Sequence, residues 1–129
     1  MADKLITFAI PCYNSAEYMD KCINSILTCG EDIEIIIVDD GSTKDDTPAK
    51  ADEWAKKHPE IIKVVHKENG GHGSAVNEGL AHATGTYFKV VDSDDWIDVT
   101  AGIKVMEEVR KQAESEAPVD MIVANYVYE

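Results

Sequence analysis

Apolar positions along this chain alternate between short β-rich runs and longer stretches at helical spacing, which predicts an α/β fold with a mostly parallel sheet. Residues 5–10 read as the first strand. A helix over roughly 15–27 follows, because Tyr18, Met19, Cys22, Ile23, Ile26 and Leu27 recur on one helical face. Residues 33–39 are the second strand, and their run IEIIIVD has no polar alternation after Glu34, as in a central strand covered on both faces. The second helix is capped by Asp46 or Thr47, takes Pro48 into its first turn and stops near His58 and Pro59. Residues 61–66 form the third strand, followed by a glycine-rich loop and a short helix over about 74–83 that Gly85 ends. The fourth strand, 86–91, runs into an acidic stretch. Beyond it Ile103, Met106, Val109 and Ala113 mark an amphipathic helix, and 119–127 reads as a fifth strand. The expectation is one Rossmann-like domain over residues 1–129, with helices on both faces of the sheet.

Composition narrows the partners. At 129 residues, 44% of them apolar, the chain can build one core and has little room for a second. Lys and Arg number 12 against 25 Asp and Glu, a formal net charge of −13. That charge repels the phosphates of nucleic acid and an anionic membrane surface, so neither is expected as a partner. A small phosphorylated ligand stays allowed, because a divalent cation can stand between carboxylates and phosphate oxygens. No apolar run approaches bilayer-spanning length, and the N-terminus MADKLITFAIPCYN lacks the basic start and cleavage site of a signal peptide. A cytoplasmic protein without direct membrane insertion is therefore expected. Cys12, Cys22 and Cys29 are odd in number and lack metal-ligand spacing, which argues against disulfides or a zinc site. They are expected to be buried thiols, with Cys22 and Cys29 on one helical face.

Ligands of open α/β sheets sit in a crevice beyond the carboxyl ends of the strands. The segments just after the first four strands are Pro11-Cys12-Tyr13-Asn14, Asp39-Asp40-Gly41-Ser42, Lys67-Glu68-Asn69-Gly70-Gly71-His72-Gly73 and Asp92-Ser93-Asp94-Asp95. In the last of these, two carboxylates about 5 Å apart repel by on the order of 3 kcal/mol at an effective dielectric near 20. Bound Mg²⁺ or Mn²⁺ would offset that repulsion; capping of the next helix and solvation are the plainer reading, preferred for Asp95 and Asp98 but not for Asp92 and Asp94. Asp39-Asp40-Gly41-Ser42-Thr43 is either an ordinary Asp-Gly turn or a carboxylate placed to accept from a base N–H or a ribose hydroxyl. Gly70-Gly71-His72-Gly73-Ser74 could offer backbone N–H groups to an anion, or be a flexible turn, since it lacks the third glycine of a dinucleotide fingerprint. His72 could donate to a phosphate or simply face solvent. Tyr13 could stack on a base and Asn14 read a polar edge, while Asn14 or Ser15 could cap the first helix with Glu17 in its first turn. Trp54 and Trp96 are assigned to packing.

Taken in order, ITFAIPCYNSAEYM, IIIVDDGSTKDDT, KENGGHGSAVNEGL and GTYFKVVDSDDW resemble the nucleotide-sugar-binding half of the inverting family 2 glycosyltransferases, which have the GT-A fold. The likeness spans nearly the whole chain, and four ordered motifs are far more specific than any one. It implies that Pro11, Tyr13 and Asp40 contact the nucleotide base, usually uracil, with Asn69 nearby. It implies that Asp92-Ser93-Asp94 is the metal-binding Asp-x-Asp, with Asp94 the direct ligand of Mg²⁺ or Mn²⁺ and Asp92 nearer the ribose and the metal's waters. Glu17 matches the family's acidic position in the first helix, more loosely. The implied chemistry is direct displacement at the anomeric carbon of a nucleotide sugar, a UDP-sugar, by the hydroxyl of a glycan or lipid-linked acceptor, in surface glycan or polysaccharide synthesis.

Two departures accompany the likeness. Many relatives carry an arginine just before the residue matching Asn77, where this chain has Val76, so charge compensation would rest on the metal with Lys67 or His72 as helpers. The family's catalytic base and acceptor-binding segments lie beyond the fifth strand, so no base is named, and the chain is expected to be part of something longer that transfers little sugar by itself. The rival reading is a response-regulator receiver domain, a small acidic α/β switch phosphorylated on aspartate. It requires its acidic pair after the first strand, whereas here a strand and a helix precede Asp39.

Overall fold

The two most apolar runs become the two central strands. Ile6–Cys12 (β1) and Ile33–Asp40 (β2) are buried along their whole length, as parallel strands are when both faces are covered. The computed structural model describes residues 4–30, 32–113 and 127–128. After β1 comes α1 (Met19–Leu27), and after β2 come α2 (Thr47–Lys57), β3 (Ile62–Lys67), α3 (His72–His82) and β4 (Tyr87–Val90). A two-residue strand β5 (Trp96–Ile97), α4 (Val99–Ala113) and β6 (Val127–Tyr128) complete the described elements. The first four strands form one parallel sheet in the order β3-β2-β1-β4, and β5 pairs antiparallel with β6.

Side chains alternate across the sheet. Phe8 and Ile10 of β1 and Ile35 and Ile37 of β2 join Cys22, Ile23 and Ile26 of α1, Ala51 of α2 and Met106 of α4 in one core. On the opposite face Ile36 and Val38 pack with Ala75 of α3. Helices thus cover both faces, as the alternation predicts. Gly79 lets α3 lie close to the sheet, because a Cβ there would stand 2.7 Å from the Ala9 Cβ. Strands β1 to β3 step in one direction, and α3 returns the chain to β4 on the far side of β1. The order reverses at β1, which opens a crevice outside the carboxyl ends of β1 and β4.

The other end of the sheet is closed by a buried carboxylate. Glu34 accepts hydrogen bonds from the Thr7 hydroxyl at 2.8 Å, the Thr84 N–H at 2.8 Å, the Thr84 hydroxyl at 2.9 Å and Lys63 Nζ at 2.6 Å. Burial alone would raise its pKa, but the bonds from Lys63, Thr84 and Thr7 outweigh burial and hold it below the usual carboxylate range.

Element boundaries differ from the sequence reading where distant partners intervene. The first helix starts at Met19 rather than near 15, because the Ser15 N–H donates to Thr47 Oγ1 at 2.7 Å and the Ala16 N–H to Asp45 Oδ2 at 3.0 Å. Neither Asn14 nor Ser15 is its cap; Tyr18 precedes it without a side-chain cap bond. At α2 it is Asp45, not Asp46, that binds the Thr47 N–H, at 3.0 Å. The third helix begins at His72, ahead of the predicted start, and ends at His82 well before Gly85, whose N–H instead donates to Thr7 Oγ1 at 2.9 Å. Cys22 lies in α1 while Cys29 follows it, and all three cysteines are buried thiols as expected. The predicted strand 119–127 lies outside the described residues except for Val127, which enters β6.

Candidate functional site

The carboxyl ends of β1, β2 and β4 meet the glycine-rich loop ahead of α3 along one rim, and two adjoining cavities open there. One, of about 270 Å³, is lined by Pro11, Tyr13, Asp40, Asn69, Gly71 and His72, with Cys12 and Ala75 behind them. The other, of about 300 Å³, is lined by Pro11, Tyr13, Tyr18, His72, Asp92 and Asp94, with the 14–15 turn and Ser93 completing the wall. Pro11, Tyr13 and His72 border both. Of the residues singled out in the sequence, Pro11, Tyr13, Asp40 and Asn69 therefore share one cavity, and Asp92 and Asp94 the next. Glu17 is not brought in: it sits exposed in the turn before α1 and lines neither.

The β1–α1 turn is shaped by long-range bonds. Asn14 adopts φ +51°, a left-handed conformation that asparagine tolerates. Its N–H donates to Ser42 Oγ at 2.9 Å, and its Oδ1 accepts the Lys44 N–H at 3.1 Å. The amide foreseen as a reader of polar edges thus braces the β2–α2 loop. Ser15 Oγ accepts the Tyr13 N–H at 3.1 Å and the Ser93 hydroxyl at 2.7 Å, which ties the tyrosine to the acidic turn.

Adjacent aspartates at the end of β2 point to opposite faces and do different work. Asp39 accepts the Ser42 N–H at 3.0 Å and meets His66 Nδ1 at 2.8 Å, while His66 Nε2 meets Asp52 of α2 at 2.8 Å. The bonds to Asp52 and then Asp39 raise the His66 pKa above its usual value. Asp40 faces the glycine loop. Its Oδ1 accepts from Lys67 Nζ at 3.0 Å and the Gly70 N–H at 2.9 Å, and its Oδ2 from the Gly71 N–H at 3.0 Å and Asn69 Nδ2 at 3.4 Å. Burial works against its charge, yet the bonds from Gly70, Lys67 and Gly71 prevail and its pKa is lowered. Gly41 makes this approach feasible, with φ +71° and room for no Cβ, which would stand 2.6 Å from the Asn69 nitrogen.

This clasp bears on two expectations. The N–H groups of Gly70 and Gly71, left between anion donors and a plain turn, are held by Asp40. Asp40 itself, implied as a base contact, has its acceptor positions filled and acts first as the loop's anchor. Contact with a base through the same oxygens means giving up one of these bonds, the 3.4 Å bond from Asn69 being the longest.

The acidic turn is fixed from three sides. The Asp95 N–H donates to the Asp92 carbonyl at 3.0 Å, the Cys22 thiol contacts that carbonyl at 3.6 Å, and Asp92 Oδ1 meets His72 Nε2 at 2.9 Å. The turn leads into β5 rather than directly into a helix, and the Ile97 N–H docks on Ser25 Oγ of α1 at 2.9 Å. Trp54 packs on the core as expected and donates to Asp20 at 2.8 Å, while the Trp96 ring carries Lys21 Nζ 3.5 Å from its centre. Behind the site, burial and then the Asp39 charge push the Cys12 thiol up to about 12, and burial raises that of Cys22 as well. Since the thiolate is the nucleophile, neither should react with a disulfide reagent at neutral pH in the native chain, while both should react in urea. Rapid native labelling of Cys12 or Cys22, read by peptide mapping, would contradict this burial.

Among the described residues no three His, Cys, Asp or Glu side chains are grouped to hold a metal ion. A hard cation of the Mg²⁺ or Mn²⁺ kind commonly needs only one or two carboxylates, with water and substrate phosphates completing its shell. Asp92 and Asp94, on one cavity wall, meet that smaller demand with suitable oxygen donors. Ser15 was expected only as a helix cap and Ser93 had no expected role, yet the two are bonded across 78 residues of chain, a separation no local pattern reports.

Comparison with known proteins follows the same lines. Residues 7–119 match the family model described as Glycosyl transferase family 2. The chain is 35% identical over its full length to the putative glycosyltransferase EpsH of Bacillus subtilis, covering 36% of that protein. It is 36% identical over 95% of its length to the glycosyltransferase GlyG of Streptococcus pneumoniae, covering 39% of it. The chain thus spans about a third of the length of these curated relatives. Among solved structures, S. aureus TarS superposes with a TM-score of 0.70 at 28% identity, over 84% of this chain and 20% of that one. The mannosyltransferase PcManGT of Pyrobaculum calidifontis, solved with GDP-Man and Mn²⁺, gives 0.69 at 30% identity, over 78% of this chain and 31% of that one. TarS 1-349 has also been solved with UDP-GlcNAc, and matches with a TM-score of 0.68 at 26% identity, over 85% of this chain and 31% of that one.

Proposed function

The chain belongs to glycosyl transferase family 2, and from that premise we propose that it binds a nucleotide-diphosphate sugar, a UDP-sugar, at the carboxyl edge of its sheet. Its mostly parallel α/β fold is that of the GT-A glycosyltransferases. The bound sugar is transferred, with inversion, to the hydroxyl of a glycan or lipid-linked acceptor during surface glycan or polysaccharide synthesis. One observation carries this reading: a cavity walled by a proline, a tyrosine and an asparagine adjoins a second walled by two aspartates, and both share Pro11, Tyr13 and His72. A nucleotide has the same two-part chemistry, a flat base at one end and a diphosphate at the other. The complexes of TarS with UDP-GlcNAc and of PcManGT with GDP-Man and Mn²⁺ support it.

In this reading the base lies against Pro11 and Tyr13. Asn69 Nδ2 is engaged by the Asp40 carbonyl at 3.0 Å, which leaves the amide oxygen to accept a base N–H. The diphosphate passes the wall of Tyr13 and His72 towards Asp92 and Asp94. Asp94 is the proposed direct ligand of Mg²⁺ or Mn²⁺, with Asp92 beside the ribose and the metal's waters. When bound there, a divalent cation supplies Lewis-acid stabilisation of the charge that grows on the departing diphosphate. The chain's own part is orientation: Ser93 and Ser15 hold the acidic turn against the tyrosine, and Asp40 holds the loop that closes the base cavity. The receiver-domain reading loses its ground, since Tyr13, Asn14 and Ser15 follow β1 where its acidic pair would stand.

Calorimetry tests the proposal. UDP should bind in the presence of Mn²⁺, and its affinity should fall at least about tenfold with chelator and about a hundredfold in Asp94→Ala, as expected when a charge-neutralising ligand is lost. Equal affinity with and without chelator would count against the metal role, and no binding in either condition would remove the nucleotide reading.

A further inference from the structure

Three acidic side chains, Asp40, Asp92 and Asp94, line the two cavities, and His72 is the one basic residue among those lining either. A diphosphate placed there faces a shortage of donors. The glycine-loop N–H groups of Gly70 and Gly71 are held by Asp40. Lys67, the lysine of the same loop, is turned to Asp40 Oδ1 at 3.0 Å and to the Glu68 carbonyl at 2.7 Å.

His72 is placed differently from both. It opens α3, borders both cavities, and its Nε2 meets Asp92 Oδ1 at 2.9 Å. The two side chains of that pair are 63% and 52% exposed, and ion pairs so open to water contribute little. The partner is therefore easily exchanged. A phosphate oxygen beside Asp92 would offer the same ring nitrogen a stronger acceptor, because a charge-assisted bond to phosphate in a partly enclosed site exceeds a solvated side-chain pair. The α3 dipole adds in the same sense at its first residue.

We propose that His72 holds the diphosphate of the bound nucleotide, exchanging Asp92 Oδ1 for a phosphate oxygen and leaving the Asp92 carboxylate to the cation's side of the site. This rests on the nucleotide reading above and adds a residue to it. His72 is a binding residue for the phosphates, distinct from the base cavity and from the carboxylates.

The experiment uses the chain itself, as wild type, His72→Ala and His72→Gln, titrated by calorimetry with uridine and with UDP plus Mn²⁺, and by electron paramagnetic resonance with Mn²⁺ alone. For His72→Ala, UDP affinity should fall about tenfold, uridine affinity should stay unchanged, and Mn²⁺ alone should bind as in the wild type or a few-fold more tightly. His72→Gln, which keeps an N–H donor, should recover part of the loss. UDP affinity in His72→Ala within about twofold of wild type would overturn the proposal. So would uridine and UDP weakening together, which marks damage to the cavity, or weaker binding of Mn²⁺ alone, which marks His72 as a support for Asp92. Wild type failing to bind UDP with Mn²⁺ would instead defeat the nucleotide reading, and this proposal with it.

Discussion

Replacing Asp40 by alanine is expected to lower the unfolding free energy by about 3 kcal/mol, because it leaves the Lys67 ammonium and the loop N–H groups without their buried acceptor. The carboxylate is 4% exposed and binds Lys67, Gly70, Gly71 and Asn69 at once. Without it the glycine loop has no clasp to the end of β2, and the base cavity loses the wall made by Asn69 and Gly71. Affinity for UDP should therefore fall together with stability. The pH dependence carries the same signature. The folded pKa of Asp40 is lowered, so its contribution is present above the unfolded carboxylate pKa and disappears as pH falls through the folded value. Urea unfolding followed by tryptophan fluorescence should show wild type losing stability in acid, and Asp40→Asn losing less. An Asp40→Ala chain as stable as wild type, with UDP affinity intact, would show that the loop is held by something else.

A second substitution separates stability from binding. Glu34→Ala removes the acceptor of Thr7, Thr84 and Lys63 at the amino end of the sheet, and should also destabilise by about 3 kcal/mol. Glu34 precedes Asp40 by six positions on one strand, about 20 Å at the usual rise per residue. Its loss should leave the UDP affinity of the folded fraction unchanged. Its pKa is lowered as well, so its stabilisation likewise holds above the unfolded glutamate pKa and fades as pH drops through the folded value. The pair of variants thus shares a stability loss and differs in binding. Matching losses of UDP affinity in folded Glu34→Ala would mean that binding tracks global stability rather than the rim.

Much of the fold follows from period alone. An apolar run marks β1 and a run of isoleucine and valine marks β2, the switch to helical spacing marks α1 and α4, and the strand-end rule places the chemistry on one rim. The fates of Asp39 and Asp40 were also legible in principle, since neighbours on a strand face opposite ways: Asp39 shares the α2 side with Ile35 and Ile37, and Asp40 the α3 side with Ile36 and Val38. What escaped the sequence rests on partners far apart in the chain. The start of α1 is set by Thr47 and Asp45, and the Gly70 and Gly71 donors by a carboxylate 30 and 31 residues earlier. His72 stayed ambiguous because loop composition does not say which side chain reaches an aspartate 20 residues on. Glu17, which the resemblance placed in the first helix, lies in the turn before it, because α1 begins two residues later.

In the proposed complex the rim of β1, β2 and β4 takes a nucleotide base in one cavity and its diphosphate, with a cation, in the next. Crystals of this chain grown with MnCl₂ and UDP test it most directly, because anomalous scattering locates manganese independently of any fitted ligand. The expected result is a manganese peak against the Asp94 carboxylate, phosphorus between it and His72, and uracil beside Pro11, Tyr13 and Asn69. Manganese and UDP bound elsewhere, with Asp94 and His72 untouched, would contradict it.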